Sequence, residues 1–252
     1  MTQIKNSLWG ALDQGARLVF FFFLFLYFAY VNDPSVVGEL SIVLFFLLIL
    51  NTISRMSLDG LLIKRVVHFK KHSLFFSYLS LRILLQLIVS ILAIIFIRTY
   101  WPYDYIFSPE MLYLIIILNF FRIHEVFESY FKSQKNFHFI FFSRIASYSI
   151  VLIILFLFLE GSDKLVLVFF ADSIVMLFCT FALYIHFFKK NEKLKFKCKN
   201  PGVLLKNEIF RGVALTASLL AYLFLSKMDW FSVYVLLDED KLGVYSFYSR
   251  LI

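Results

Sequence analysis

The sequence predicts an all-α fold, a polytopic helical membrane protein with about seven complete transmembrane helices and the beginning of an eighth. Three observations predict it: an apolar excess, uninterrupted apolar runs of spanning length, and basic residues concentrated in alternate connections. Hydrophobic residues make up 61% of the 252 and charged residues only 17%, against about 25% charged in an ordinary soluble domain. Phenylalanine alone occurs 34 times. A soluble fold of this length has too little interior to hide so much apolar surface, so lipid must solvate much of it.

The elements follow from length and punctuation. A helix needs about 20 mostly apolar residues to cross about 30 Å of hydrocarbon. Runs of that kind lie at about 8–31, 36–54, 74–97, 110–131, 137–159, 164–188 and 209–236, with an eighth beginning near 243. They are continuously apolar rather than alternating, which favours helices over a β-barrel. Asp33-Pro34, Trp101-Pro102, Ser108-Pro109 and Pro201-Gly202 fall between them, where chain breakers belong. Most connections are short, so consecutive helices are expected to be antiparallel neighbours. The first run carries Asp13 and Arg17 near its start and has no small-residue cleavage site after it. It therefore reads as a helix of the mature protein and not as a signal peptide. Cys179 lies in an apolar run and Cys198 in a lysine-rich loop, so no disulfide is expected and two cysteines exclude a cysteine metal cluster.

Charge sets the orientation. Alternate connections, beginning with the N-terminus, hold 15 Lys and Arg residues, while the opposite set holds only Arg98, Lys164 and Lys241. The positive-inside rule then puts the N-terminus in the cytoplasm. The net charge of +8 is accounted for by loops facing anionic headgroups, and nucleic acid is not an expected partner. Between Met56 and Phe76, Leu58, Leu61, Leu62, Val66 and Phe69 recur at helical spacing among Lys64, Arg65, His68 and Lys71. That pattern suits an amphipathic helix lying on the cytoplasmic membrane face, where it would serve as an anchor or, alternatively, in gating.

Seven basic residues lie in or at the ends of the apolar runs: Arg17, Arg82, Arg122, Arg144, Arg211, Lys227 and Arg250. Asp13, Glu125, Glu128, Asp172 and Asp229 are the acids at similar depth. A charge at the bilayer centre costs at least about 2.5–3.5 kcal/mol, so each needs a partner or a wet cavity. The set implies a hydrated central cavity with positive charge in excess. Asp13 with Arg17, and Arg122 with Glu125, have the spacing to neutralise each other on their own helices. Arg211 and Arg250 can snorkel to headgroups. Arg82, Arg144 and Lys227 have no carboxylate three or four residues away. They are the strongest cavity candidates, with Arg122 and Arg17 behind them. Asp172 and Asp229 are candidates for coupling to an ion, or for structural ion pairs.

Catalytic patterns are poor. His124-Glu125 opens a His-Glu-Val-Phe-Glu run, but Glu128 stands where a zinc motif needs its second histidine. No phosphate-binding glycine loop and no nucleophile elbow occurs. An enzyme is disfavoured, and neither catalytic residues, metal ligands nor a cofactor are expected.

Three segments carry a family resemblance. Asn6-Ser7-Leu8-Trp9-Gly10 leads into the first helix and precedes the acidic turn from Asp33 to Leu40 with its Val37-Gly38. A lysine-rich loop follows the sixth run. Ser226-Lys227-Met228-Asp229 then precedes Leu242-Gly243-Val244-Tyr245-Ser246. Together these resemble the O-antigen type polysaccharide flippases of the multidrug/oligosaccharidyl-lipid/polysaccharide exporter superfamily. The spacing repeats within the chain: Asn6 to Gly38 is 32 residues and Asn207 to Gly243 is 36. Each interval encloses one apolar run and a short acidic turn, as a transporter repeat would. The expected organisation is a six-helix half at 1–190, a basic cytoplasmic linker at 191–208 and an incomplete second half at 209–252. Family members have about twelve to fourteen helices, so the chain reads as the N-terminal part of such a protein.

The resemblance implies transport of a polyprenyl-pyrophosphate-linked oligosaccharide across the bacterial cytoplasmic membrane by alternating access. Arg82, Arg144, Lys227, Arg122 and Arg17 would receive the pyrophosphate, because guanidinium matches phosphate with paired donors. Tyr130, Tyr148, Tyr222 and Trp230 would be available to stack on sugars. Membrane lipids and other polysaccharide-assembly proteins are the remaining expected partners. The alternatives are a drug or metabolite exporter of the same superfamily, where buried acids should lead, and a polysaccharide polymerase, where a long outward loop should appear. On this reading Arg144→Gln is expected to fold normally and to lose transport.

Overall fold

The computed structural model describes residues 2–31, 34–69, 74–100, 109–158, 165–190, 201–237, 241 and 244–245. Helices run over α1 (Thr2–Val31), α2 (Pro34–Arg55), α3 (Leu58–Phe69), α4 (Leu74–Tyr100), α5 (Pro109–Phe121), α6 (His124–Ser133), α7 (Phe137–Phe158), α8 (Leu165–Lys190) and α9 (Pro201–Leu236). No strand occurs among the described residues. Proline opens α2, α5 and α9, where its missing N–H is no loss. The protein is an all-α membrane protein, as expected. Phe75–Thr99, Phe137–Leu155 and Phe210–Asp229 are each long and apolar enough to span a membrane. Val43–Arg55 and Leu58–Lys64 qualify together as a pair bent by 46°. By this measure the described residues hold three spans, or four with the bent pair, against the seven expected. The lysine loop with Cys198 and most of the expected eighth helix lie outside the described residues.

Each central helix turns its apolar side outward. On α4, Leu84, Leu87, Ile88, Ile91, Leu92, Ile95 and Phe96 are exposed, while Tyr78, Arg82, Gln86 and Val89 are buried. The same inversion holds on α7, where Ile140, Ser143, Arg144, Ser147, Tyr148 and Val151 face inward and Phe142, Ile145 and Ile153 face outward. Lipid takes the outward face at no cost, and the polar residues meet each other inside. Two apolar clusters bracket them. One joins Phe20, Leu24, Leu47, Ile115, Leu118 and Val151, and the other joins Leu58, Leu62, Phe75, Phe127, Tyr130 and Tyr184.

The expected helix at 110–131 is divided. Between α5 and α6, Arg122 N–H bonds the Asn119 carbonyl, Ile123 N–H that of Phe120 and Glu125 N–H that of Arg122, at 3.1–3.3 Å. The ladder thus tightens to 3₁₀ spacing. Two side chains cause this. Gln86 donates its amide to the Asn119 carbonyl, and the His124 ring lies 3.2 Å from the Phe121 carbonyl. These are the oxygens that Ile123 and Glu125 would have used in an unbroken α-helix, and insertion into the ladder is a recognised source of a break. Neither proline nor glycine is involved.

Two other junctions use positive φ. Lys135 (φ 59) ends α6 with Asn136 N–H on the Phe131 carbonyl and Lys135 N–H on that of Lys132, each at 3.0 Å. This is a Schellman ending. Met56 and Ser57 (φ 43 and 51) bend α2 into α3. The amphipathic helix expected here exists as α3, but its apolar side covers protein: Leu58 and Leu62 pack with Phe75 and Phe127. The last helix, α9, begins at Pro201, earlier than the expected 209. It passes so close to the bend that a Cβ at Gly212 would overlap the Met56 carbonyl oxygen.

Gly212→Ala is therefore expected to destabilise the protein by about 1–3 kcal/mol, the usual cost of overpacking against an unyielding neighbour. Gly15→Ala, with nothing within 4 Å of the new Cβ, is expected to be neutral or stabilising by up to about 1 kcal/mol. Thermal unfolding of the two variants in detergent, beside wild type, checks both. Equal midpoints would remove the close approach.

Candidate functional site

Charges from six helices, α1, α2, α3, α4, α6 and α7, pair in one layer between the two apolar clusters, with Asp172 of α8 beside them. Glu128 on α6 is the first hub. It accepts from Arg144 Nη2 at 2.9 Å and Arg17 Nη2 at 3.2 Å, with Lys132 Nζ at 3.5 Å and His124 Nε2 at 3.8 Å. Arg144 also bonds Asp13 at 2.5 Å through Nε, and Arg17 stands 3.7 Å from the same carboxylate. Glu125, three residues earlier, is the second hub. It pairs with Arg122 at 3.2 Å, accepts from Asn51 Nδ2 at 3.1 Å, and lies 3.6 Å from both Arg55 and Arg82. Arg82 donates to Asn51 Oδ1 at 2.7 Å, and Arg55 reaches back to Asp59 at 2.6 Å. The α5–α6 break is what allows this: the residues that follow it are re-phased, and His124, Glu125 and Glu128 all turn inward.

Beside the hubs lies a cavity of about 130 Å³. Five cations, Arg17, Arg55, Arg122, Lys132 and Arg144, line it against the carboxylates of Glu125, Glu128 and Asp172. Its walls are polar and its volume suffices for several waters, so it meets the conditions for hydration. A phosphate-sized anion fits such a space, whereas a sugar chain does not. Asp172 accepts from Ser147 Oγ at 2.6 Å.

The structure rearranges the order of the sequence candidates. Arg82 and Arg144 are not lone cations: each is paired across helices, to Glu125 and to Asp13 and Glu128 respectively, with side chains only 2% and 7% exposed. A carboxylate missing at helical spacing says nothing about a carboxylate on the next helix; Arg144 borders the cavity all the same. The expected pairs Asp13–Arg17 and Arg122–Glu125 are present. Arg17 and Arg122 keep 34% and 26% of their side chains exposed and border the cavity. Lys227 and Asp229 lie on α9 and do not line it. Asp229 is exposed and accepts from Tyr245 Oη at 2.7 Å. That bond joins one residue from each of the last two sequence segments that carry the family resemblance. Of the four aromatic candidates, Tyr148 lines the cavity, Tyr130 is fully buried and Tyr222 is exposed on α9. The Trp230 side chain lies outside the described residues.

Sequence reasoning missed Arg55 and Lys132, which it counted as loop cations. Their signal was available: Asp59 follows Arg55 by four and Glu128 precedes Lys132 by four. Asn51 and Gln86 carried none.

A lipid-facing helical bundle wrapped around a layer of ion pairs defines a polytopic membrane protein whose interior handles charge. The chain belongs to the polysaccharide biosynthesis protein family, whose model matches residues 4–252. No curated protein and no solved structure matches it.

Arg144→Gln is expected to lower stability by about 1.5–3 kcal/mol, because Asp13 and Glu128 each lose a buried charge-assisted bond and keep Arg17 and, for Glu128, Lys132 beside them. Adding Asp13→Asn should restore at least about 1 kcal/mol, the coupling typical of directly paired residues. Unfolding midpoints of the two single variants and the double variant measure this. Strict additivity would mean that the pair is not formed.

Proposed function

We propose that the protein is a flippase, without catalytic chemistry of its own, for a polyprenyl-pyrophosphate-linked oligosaccharide. The cargo would be an O-antigen or capsule repeat unit, carried across the bacterial cytoplasmic membrane by alternating access. The observation that carries this reading is the excess of five cations over three carboxylates around a cavity inside a bundle of membrane-spanning helices. Membership of a polysaccharide biosynthesis family supplies the context of a lipid-linked glycan. The 15-to-3 distribution of basic residues supports a cytoplasmic N-terminus. Membrane lipids and other polysaccharide-assembly proteins are the partners such a role implies.

The physics of the site suggests how cargo would be received. Bare pyrophosphate cannot enter hydrocarbon, and guanidinium groups can replace its water with paired charge-assisted bonds. Glu125 and Glu128 stand about one helical turn apart, two anions each with its own set of cations. A pyrophosphate also presents two linked anionic groups. In this reading it draws Arg17 and Arg122 away from their glutamates, and only that difference in contacts can shift the balance between two conformations. Arg82 and Arg144 brace the frame, and Asp172 is placed at the cavity to couple the cycle to an ion. Cations in excess argue against an exporter of cationic drugs.

Arg17→Gln and Arg122→Gln are each expected to accumulate normally, since part-exposed pairs are worth about 0–1 kcal/mol. The wild-type chain should gain about 2.7 kcal/mol of stability at a pyrophosphate concentration about 100 times Kd. Both variants should lose that gain, and Arg17→Lys should keep part of it. Thermal shifts with inorganic pyrophosphate, read beside surface glycan in cells, test this. Unchanged shifts and full glycan in both Gln variants would sink the reading.

A further inference from the structure

A second cavity, an apolar groove of about 660 Å³, runs between α1 and α7. On α1 it is lined by Ala16, Val19, Phe23 and Tyr30, and on α7 by Ile145 and Leu152, among others. From Ala16 to Tyr30 it follows about 21 Å of helix, at about 1.5 Å per residue.

The groove and the cation-lined cavity meet along one seam. Ala16 faces the groove while its neighbour Arg17 faces the cavity, and Ile145 and Arg144 divide in the same way on α7. Tyr148 lines both, its ring stacked on Phe20 at 3.8 Å and 1°. The exposed face of α4, from Leu84 to Phe96, is equally apolar but has no such junction with charge.

We propose that this groove holds the hydrocarbon chain of the anionic lipid whose phosphate enters the cation-lined cavity, an assignment that rests on the function proposed above. The two ends of such a lipid are covalently joined, so a phosphate in the cavity obliges its chain to leave through an adjoining wall. A chain gains little by exchanging bilayer lipid for an apolar protein surface, because the two are alike as solvents. A chain forced across the ion-pair layer would lose that solvation entirely. The groove therefore acts by providing a route: it lets the phosphate reach Arg17 and Arg122 while every methylene stays in apolar surroundings. Selectivity follows from having two adjoining subsites, one for the anion and one for the chain.

The full chain in phosphatidylcholine nanodiscs provides the test. The probe is farnesyl phosphate carrying a photoreactive diazirine on its terminal isoprene unit, compared with the matching farnesol, and labelled residues are mapped by mass spectrometry. The phosphate probe should label groove residues such as Val19, Phe23 and Leu152, and inorganic pyrophosphate should suppress this. Ser149→Trp, at an exposed groove position, should reduce the groove label to the level seen with farnesol. Ile91→Trp on α4 should leave it unchanged. Groove labelling by farnesol as strong as by the phosphate would overturn the proposal, since the groove would then be ordinary lipid-facing surface. Exclusion of both probes from the groove would also overturn it and show a covering helix, from this chain or a second copy. Phosphate-dependent label on another helix pair would defeat the groove and leave the anion cavity standing. No phosphate-dependent label anywhere would defeat both.

Discussion

Two carboxylates hold the interior together. Glu128 ties α1 and α7 to α6, and Glu125 ties α2, α4 and the end of α5 to the same helix. In a soluble protein such buried ion pairs are weak evidence for stability, because an apolar replacement often does as well. The balance differs here. Apolar side chains can satisfy themselves in lipid and give helices little reason to associate, whereas a buried arginine has nowhere else to go. The charge layer therefore specifies which helices meet and at what height, and the two apolar clusters fill the space above and below it.

This arrangement connects stability to function through a shared set of groups. The same glutamates that order the bundle would compete with an incoming anion for Arg17 and Arg122. Arg17 and Arg122 have a carboxylate partner when the cavity is empty and would have a phosphate partner when it is loaded. Its preorganisation lies in Arg82 and Arg144, which are almost wholly enclosed.

Helicity and membrane residence were legible in the sequence because they depend on local composition and run length. The pairs Asp13–Arg17 and Arg122–Glu125 were legible for a similar reason: helical periodicity brings both members to one face. What was not legible depends on neighbours in space. The pairing of Arg144 with Asp13 spans 131 residues, and no local spacing announces it. The break at Arg122-Ile123 was hidden likewise, since it depends on Gln86 from another helix together with His124, and not on a breaker in the run. The outward inversion of α4 was implicit once lipid was taken as the solvent, for Arg82 and Gln86 are four apart on one face.

The close passage of α9 over the bend between α2 and α3 has a mechanical consequence. At Gly212 two backbones touch without side chains between them to cushion a displacement. Among the described residues of α9, Phe210, Tyr222 and Leu225 are exposed. The helix touches the bundle again through Phe224 on Phe45 and Val233 on the first apolar cluster, so the backbone contact at Gly212 is its tightest point and not its only one. Any tilt of α9 would press first on Met56 and Ser57, and through them on Arg55 and Asp59 at the two ends of the bend. Arg55 borders the cation-lined cavity, so α9 is geared through the bend to the most highly charged part of the bundle.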